Sequence, residues 1–313
     1  MIKKEIAIGV DIGGTNTVIG IVDKDGECLT KSHFSTADYP DATDYVNELC
    51  RQMTNLFSSF ANEYIIKGIG IGAPNGNFYR GTVEFAPNLK WKGIVPLTKM
   101  ITERMNVFSV LTNDANAAAV GEMIYGGAKG MKDFIEITIG TGLGSGIVSN
   151  GNVVYGKNGF AGELGHTTAV RDGRICTCGK RGCLETYVST RGMIQTFNEL
   201  SEVKSSIPLK DITPITITDL ATKGNTIALQ TFEETGKILG QSLADAACYT
   251  EPEAIFIFGG IAQAGNLLLE PIKRHMELNL LHIYKDKIKI LPSSLPGDNA
   301  AILGASAMVW NKI

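Results

Sequence analysis

The chain has 313 residues, 44% of them hydrophobic, and a formal net charge of −3. That length supplies two lobes with separate cores, and the composition is that of an ordinary soluble globular protein. No sequence-wide charge attracts a phosphate polymer, so nucleic acid is not an expected partner. No run reaches a membrane span either, since the longest apolar-looking stretch, 134–148, is broken by Glu136 and four glycines.

At the N-terminus, Lys3, Lys4 and Glu5 leave only a short apolar run, 6–10, before Asp11. This is not a secretory pattern, and a reducing, cytoplasmic compartment is expected. The run 6–10 reads as a strand that enters Asp11-Ile-Gly-Gly-Thr-Asn-Thr17, with 18–22 returning and Asp25-Gly26 turning the chain again. Segment 41–64 then sets Val46, Leu49, Cys50, Met53, Leu56, Phe57 and Phe60 on one helical face, with Asp41 and Thr43 as candidate caps. A strand over 67–72 follows.

The opening pattern recurs. Strand 134–139 enters Gly140-Thr-Gly-Leu-Gly-Ser-Gly146, 147–148 returns, and Asn150-Gly151 turns it, which reads as an internal duplication. Beyond it the spacing predicts a long helix over 225–248, a buried strand over 254–258 ending at Gly259-Gly260, and helices over 263–280 and 298–310. Strands alternating with amphipathic helices make an α/β protein whose sheets are covered by helices. No Pro- or Ser-rich linker divides the chain.

Glycine turns after strands expose backbone N–H groups that can hold anions. Two such turns, each with a hydroxyl-bearing residue (Thr15, Thr141), suggest a nucleotide tail gripped from both sides; either alone reads rather as a tight strand turn or bulge. Gly151-Asn-Val-Val-Tyr-Gly156-Lys157-Asn158 lacks the hydroxyl of a Walker A loop and reads as a hairpin, and no G-x-G-x-x-G follows a strand.

His166, Cys176, Cys178 and Cys183 fall within eighteen residues, with Gly179 and Gly182 where the chain must turn. One imidazole and three thiols suit a structural tetrahedral zinc, the alternative being inert or disulfide-bonded thiols. Glu163 and Glu185 frame the cluster, are not needed for a closed Cys₃His site, and are candidates to hydrogen-bond a polyhydroxylated ligand. Cys28, Cys50 and Cys248 read as core thiols. Asp114 is either the cap of a helix beginning near Asn116 or a carboxylate base for a hydroxyl nucleophile.

With Asp11-Ile-Gly-Gly-Thr15, Asn113-Asp114-Ala-Asn-Ala-Ala-Ala119, the second glycine turn, Glu163-x-x-His166 and C-x-C-G-x-x-G-C-x-E in view, the chain resembles the ROK family over essentially its whole length, most closely the family's bacterial glucokinases. The resemblance implies an actin-like, hexokinase-like (ribonuclease H-like) fold with Mg-ATP and a hexose bound in a cleft between two lobes. The lobes are expected at residues 1–115 with 301–313 and at 116–300. By position, Asp11 would help hold Mg²⁺ through water, with Gly13, Gly14 and Thr15 in the first phosphate turn. Gly140, Thr141, Gly142 and Gly144 would form the second, and Gly259 and Gly260 the adenosine side. Asn88, Asn113, Asp114, Glu163, His166 and Glu185 match the sugar-contacting residues, Asp114 being the base, and His166, Cys176, Cys178 and Cys183 match the zinc ligands. Three positions depart from the family pattern: Phe258 precedes the glycine pair, Asn16 replaces a common Lys, and Asn75 ends Gly-x-Pro-Gly.

The activity implied is phosphorylation of glucose at its 6-hydroxyl. N-acetylmannosamine or N-acetylglucosamine kinases share the motif set, and a silent sugar sensor is the reading of another class. A repressor would need a DNA-reading segment ahead of Asp11. The family also implies a homodimer or higher homo-oligomer.

Overall fold

The computed structural model describes residues 3–201, 212–297 and 299–311. β1 (Lys4–Ile12) and β2 (Asn16–Asp23) form the first hairpin, and β3 (Cys28–Ser35) adds to β2. α1 (Ala42–Ser58) starts where Asp41 accepts the N–H groups of Thr43 and Asp44, a side-chain cap on otherwise unpaired donors. It buries Val46, Leu49, Cys50 and Met53 as expected but ends before residue 64. The β-branched run at 65–66 is drawn instead into β4 (Tyr64–Gly72), which pairs in parallel with β1 from Lys4 opposite Tyr64. A small antiparallel sheet of β5 (Gly76–Asn77), β6 (Thr82–Glu84) and β7 (Ile94–Val95) follows. Then come α2 (Leu97–Met105), β8 (Ser109–Thr112), parallel to β4, and α3 (Asp114–Ile124).

The second half repeats the plan with β9 (Phe134–Ile139), β10 (Leu143–Ser149) and β11 (Asn152–Val153). A 3-10 turn (Leu164–His166), α4 (Glu185–Val188), α5 (Thr190–Ser201), α6 (Pro214–Thr222) and α7 (Thr226–Thr250) lead to β12 (Ala254–Phe258), α8 (Asn266–Asn279) and β13 (Lys289–Pro292). α9 (Ala300–Trp310) closes the chain; Asp298, the expected start of that helix, lies outside the described residues. The sheets run β3-β2-β1-β4-β8 and β11-β10-β9-β12-β13. In each, a hairpin is extended by two parallel strands, so the duplication read from the two glycine turns is a duplication of sheet topology.

The chain forms two compact units, residues 1–130 with 153–161 and 294–313, and residues 131–152 with 162–293. The first unit extends past the expected boundary at 115/116 because α3 packs against α9 at glycine contacts. A methyl group on Gly121 would stand 2.8 Å from Gly304 Cα, and one on Gly304 would stand 2.6 Å from the Ala117 carbonyl oxygen. Substitution at either position would force the helices apart.

The first core gathers Ile8, Val10, Ile19, Val46, Leu49, Ile69 and Ile71. The second gathers Ile135, Ile137, Leu239, Leu243, Ile255 and Ile272. Each such side chain contributes about 1.5–3 kcal/mol on full burial. Of the three thiols read as core, Cys50 is buried, Cys28 is partly so, and Cys248 is exposed. Cys248 sits near the end of α7, one residue before Tyr249, which is 89% exposed, so this turn of an apolar-looking helix faces solvent. Among the described residues, no helix is long and apolar enough to cross a membrane.

Candidate active site

In the first unit, strand register brings the carboxylates together. Asp11 pairs with Gly72 across β1 and β4, and Gly72 pairs with Thr112 across β4 and β8. Three parallel strands therefore end level, with Asn113 and Asp114 emerging beside Asp11, and ligands of open α/β sheets bind at such carboxyl ends. Burial, and then the charge of Asp114, push the Asp11 carboxyl from 3.8 to about 6. Burial raises Asp114 too, against two backbone N–H contacts that lower it. Its side chain nevertheless keeps solvent access, so it is crowded by protein without being sealed off.

The cap of α3 is Asn113, whose Oδ1 accepts the Asn116 N–H at 2.7 Å. Asp114 is the first residue inside the helix, and the capping role weighed for it belongs to its neighbour. That leaves the Asn113 side-chain amide nitrogen available to a ligand.

The first glycine turn is closed by Gly13 N–H donating to the Asn16 carbonyl at 2.9 Å. Asn88 packs on it: a methyl group on Gly14 would lie 2.6 Å from the Asn88 carbonyl oxygen. The Thr15 carbonyl accepts from Thr36 N–H at 2.8 Å while the residue itself is exposed. Beneath the turn, Thr17 Oγ1 shares hydrogen bonds with Thr36 Oγ1 (2.8 Å) and with Tyr45 Oη (2.7 Å). Asn75, where the family pattern has glycine, takes the left-handed backbone a glycine would, at φ 50°, and its amide donates to the Glu84 carbonyl at 3.0 Å.

In the second unit, Gly140 N–H donates to the Gly142 carbonyl at 3.0 Å, closing the turn between β9 and β10, while Gly140, Thr141 and Gly142 keep solvent access. The Gly140 carbonyl accepts from Thr190 N–H at 2.9 Å, which places the start of α5 against the turn. Gly144 lies within β10 opposite Thr138. Gly259, at φ 116°, abuts the carbonyl of Ile139, where a side chain would collide, so the glycine requirement falls here and Phe258 is accommodated in β12. Gly260 has open space around it.

His166, Cys176, Cys178 and Cys183 offer one ligand atom each, all within 4.8 Å of one another. Cys178 Sγ lies 3.6 Å from Cys183 Sγ, and Cys176 Sγ lies 3.7 Å from His166 Nδ1. Tetrahedral bonds of about 2.3 Å to sulfur put ligand atoms roughly 3.8 Å apart, so the donor set and its spacing fit zinc. The ring nitrogen on the thiol side is Nδ1, which leaves Nε2 pointing away from the cluster. Glu163 is exposed and its carbonyl accepts the His166 N–H at 3.1 Å; Glu185 is half-buried beside the cluster.

Side chains that hold this site carried no motif. Arg174 donates to the carbonyls of Thr186 (2.7 Å) and Gly192 (3.1 Å), to Thr196 Oγ1 (2.9 Å) and to Glu199, and its guanidinium lies 4.5 Å from the Tyr187 ring. It ties the cysteine-rich loop to α4 and α5. Ser145 bonds the Gly162 carbonyl and accepts the Leu164 N–H at 3.2 Å, which fixes the approach to His166. Only the placement of Ser145 inside a glycine run hinted at its role.

The ROK family model matches residues 7–312. A glucokinase of Halalkalibacterium halodurans is 34% identical, the match covering 96% of this chain and 94% of that protein. A xylose repressor of Bacillus spizizenii is 31% identical, over 98% of this chain and 77% of the repressor. A solved ROK family glucokinase from Streptomyces griseus, in complex with glucose and AMPPNP, superposes with a TM-score of 0.81 at 32% identity, covering 98% of this chain and 99% of that one. Paired sheets of one topology, carboxylates level at strand ends and a Cys₃His cluster thus coincide with a match along nearly the whole sequence, and the chain belongs to the ROK family, with its actin-like, ribonuclease H-like fold.

Proposed function

We propose that the chain is an ATP-dependent hexose kinase that transfers the γ-phosphoryl group of ATP to the 6-hydroxyl of glucose. One observation carries this reading: Asp114, its pKa raised, stands beside Asp11 at the strand ends, in a chain that matches glucokinases over nearly its full length. A sugar hydroxyl is a weak nucleophile, so a carboxylate that accepts its proton as attack develops lowers the barrier. Asp114 takes that proton, the hydroxyl oxygen bonds phosphorus, and the bond to ADP breaks.

Asn88, Asn113, Glu163, His166 and Glu185 orient the sugar, His166 through Nε2. Gly13, Gly14 and Thr15 with Gly140, Thr141, Gly142 and Gly144 offer backbone and hydroxyl donors to the phosphates, and Gly259 and Gly260 line the adenosine side, with open space at Gly260. Asp11 would hold Mg²⁺, which when bound neutralises charge on the phosphates. His166, Cys176, Cys178 and Cys183 would hold a structural zinc that shapes the sugar side. Such a thiolate cluster persists in a reducing compartment, so a cytoplasmic setting belongs to the same proposal, as does the homodimer common in the family.

The test is sugar-dependent ADP release with Mg-ATP, comparing glucose, N-acetylmannosamine and N-acetylglucosamine at matched concentrations. Preference for glucose supports the assignment. Preference for an acetamido sugar changes the substrate, and silence with all three moves the reading to another hexose or to a sensor.

A further inference from the structure

The peptide of Leu143, in the second glycine turn, is held on both sides by residues next to the metal-ligand candidates. Its N–H donates to Glu185 Oε2 at 3.1 Å. Its carbonyl is abutted by Gly165, where even a methyl group would collide with the oxygen. Glu185 follows Cys183 by two residues and Gly165 directly precedes His166, so each contact is one or two residues from a different ligand of the Cys₃His cluster.

The two ligand-bearing segments are also pinned to each other. Thr168 bridges Cys183, and Leu184 N–H donates to the Thr167 carbonyl at 3.0 Å. The Glu185 carboxylate reaches both ways, since its Oε1 lies 3.7 Å from Cys176 Sγ while Oε2 holds Leu143, and a side chain on Gly142 would run into Oε2. The turn and the cluster are thus packed as one block around a single carboxylate.

We infer that Glu185 and Gly165 couple metal occupancy to the second glycine turn, so that the bound metal positions the Leu143 peptide and through it the nucleotide-binding turn. Glu185 acts toward the nucleotide as a positioning residue, touching the turn and not the phosphates. The nucleotide part of this inference rests on the assignment of Gly140–Gly144 as a phosphate turn. The coupling itself does not.

Two measurements separate them, on the full chain with metal bound and after chelation. The first is amide exchange of Leu143 in ¹⁵N-leucine-labelled protein, which needs no ligand. The second is the affinity for AMPPNP without sugar. Chelation should speed Leu143 exchange by roughly 10-fold or more and weaken AMPPNP by about 5-fold, from loss of one charge-assisted hydrogen bond and its neighbour contact. Glu185→Ala should do the same with metal still bound and make chelation nearly without further effect. Glu185→Gln keeps an acceptor for Leu143 and should restore most of the protection.

If Leu143 exchange in the wild-type chain is unchanged by chelation, the coupling is overturned, whether or not AMPPNP binds and whatever Glu185→Ala does. If exchange responds as stated but AMPPNP does not bind the metal-loaded protein, the coupling stands and the phosphate-turn assignment falls. Glu185→Ala that retains full metal content by atomic emission yet shows fast exchange excludes simple loss of the cluster as the cause and supports the coupling.

Discussion

Asp11 and Asp114 face one another across Gly72: a methyl group on that glycine would stand 3.8 Å from Asp11 Oδ1 and 3.6 Å from the Asp114 Cα. Two carboxylates so close do not ionise independently, and the charge of Asp114 adds to burial in holding Asp11 partly protonated near pH 6.

Replacing Asp114 by Asn keeps the size of the side chain and leaves the Asn113 cap in place. Turnover should fall by about 10²-fold or more while the thermal melt shifts little. Near-normal turnover would assign the proton to another group.

The raised Asp11 carboxyl makes a stability prediction with a definite sign. Between pH 3.8 and about 6 the folded state binds more protons at this site than the unfolded state, so its contribution to stability falls as pH rises through that window. Ligand-free Asp11→Asn protein should therefore be more stable than wild type at pH 7, by no more than about 3 kcal/mol, and the difference should vanish below pH 4. Denaturant melts at pH 4 and 7 check this, and the same variant should lose its Mg²⁺-dependent activity.

Gly259 and Gly260 separate folding from ligand contact. Gly259→Ala places a methyl group against the Ile139 carbonyl at a backbone angle unsuited to alanine and should cost about 2–4 kcal/mol of stability. Gly260→Ala meets nothing, so its melt should match wild type and any rise in KM for ATP reports the adenosine side alone.

Removing the metal by chelation should raise the sugar KM more than it lowers kcat, because His166 loses its fixed ring orientation. One zinc per chain is the expected stoichiometry, and Cys183→Ala, at a fully buried ligand position, should abolish it. Unchanged sugar affinity in metal-free protein would place the cluster outside the sugar's surroundings.

Arg174→Ala leaves the Thr186 and Gly192 carbonyls without this donor and strips the Tyr187 ring of its cation. A loss of about 2–4 kcal/mol is expected, with faster release of the metal, since the Arg174 side chain is only 10% exposed.

Local patterns in the sequence determined much of this protein. The two glycine turns, the strand runs that enter them and the His-Cys spacing are short-range signals whose chemistry needs neighbours in the chain, and they lie where the pattern put them except that the second turn is shorter than read, β10 starting at Leu143 instead of 147. Asp41 as a cap and 254–258 as a buried strand belong to the same class. What depended on distant partners was not legible. The end of α1 is decided by pairing of Tyr64 with Lys4, and the extent of the first unit by the meeting of Gly121 with Gly304. Arg174 looks like any surface arginine until its loop folds onto α5. Likewise Asp114 could be cap or base in sequence; the tertiary structure gives the cap to Asn113 and, through strand register, carries Asp114 to Asp11, the arrangement on which the proposed base rests. Composition and spacing specify which chemistry a segment can offer; register and close packing, set by contacts far apart in the chain, specify what that chemistry faces.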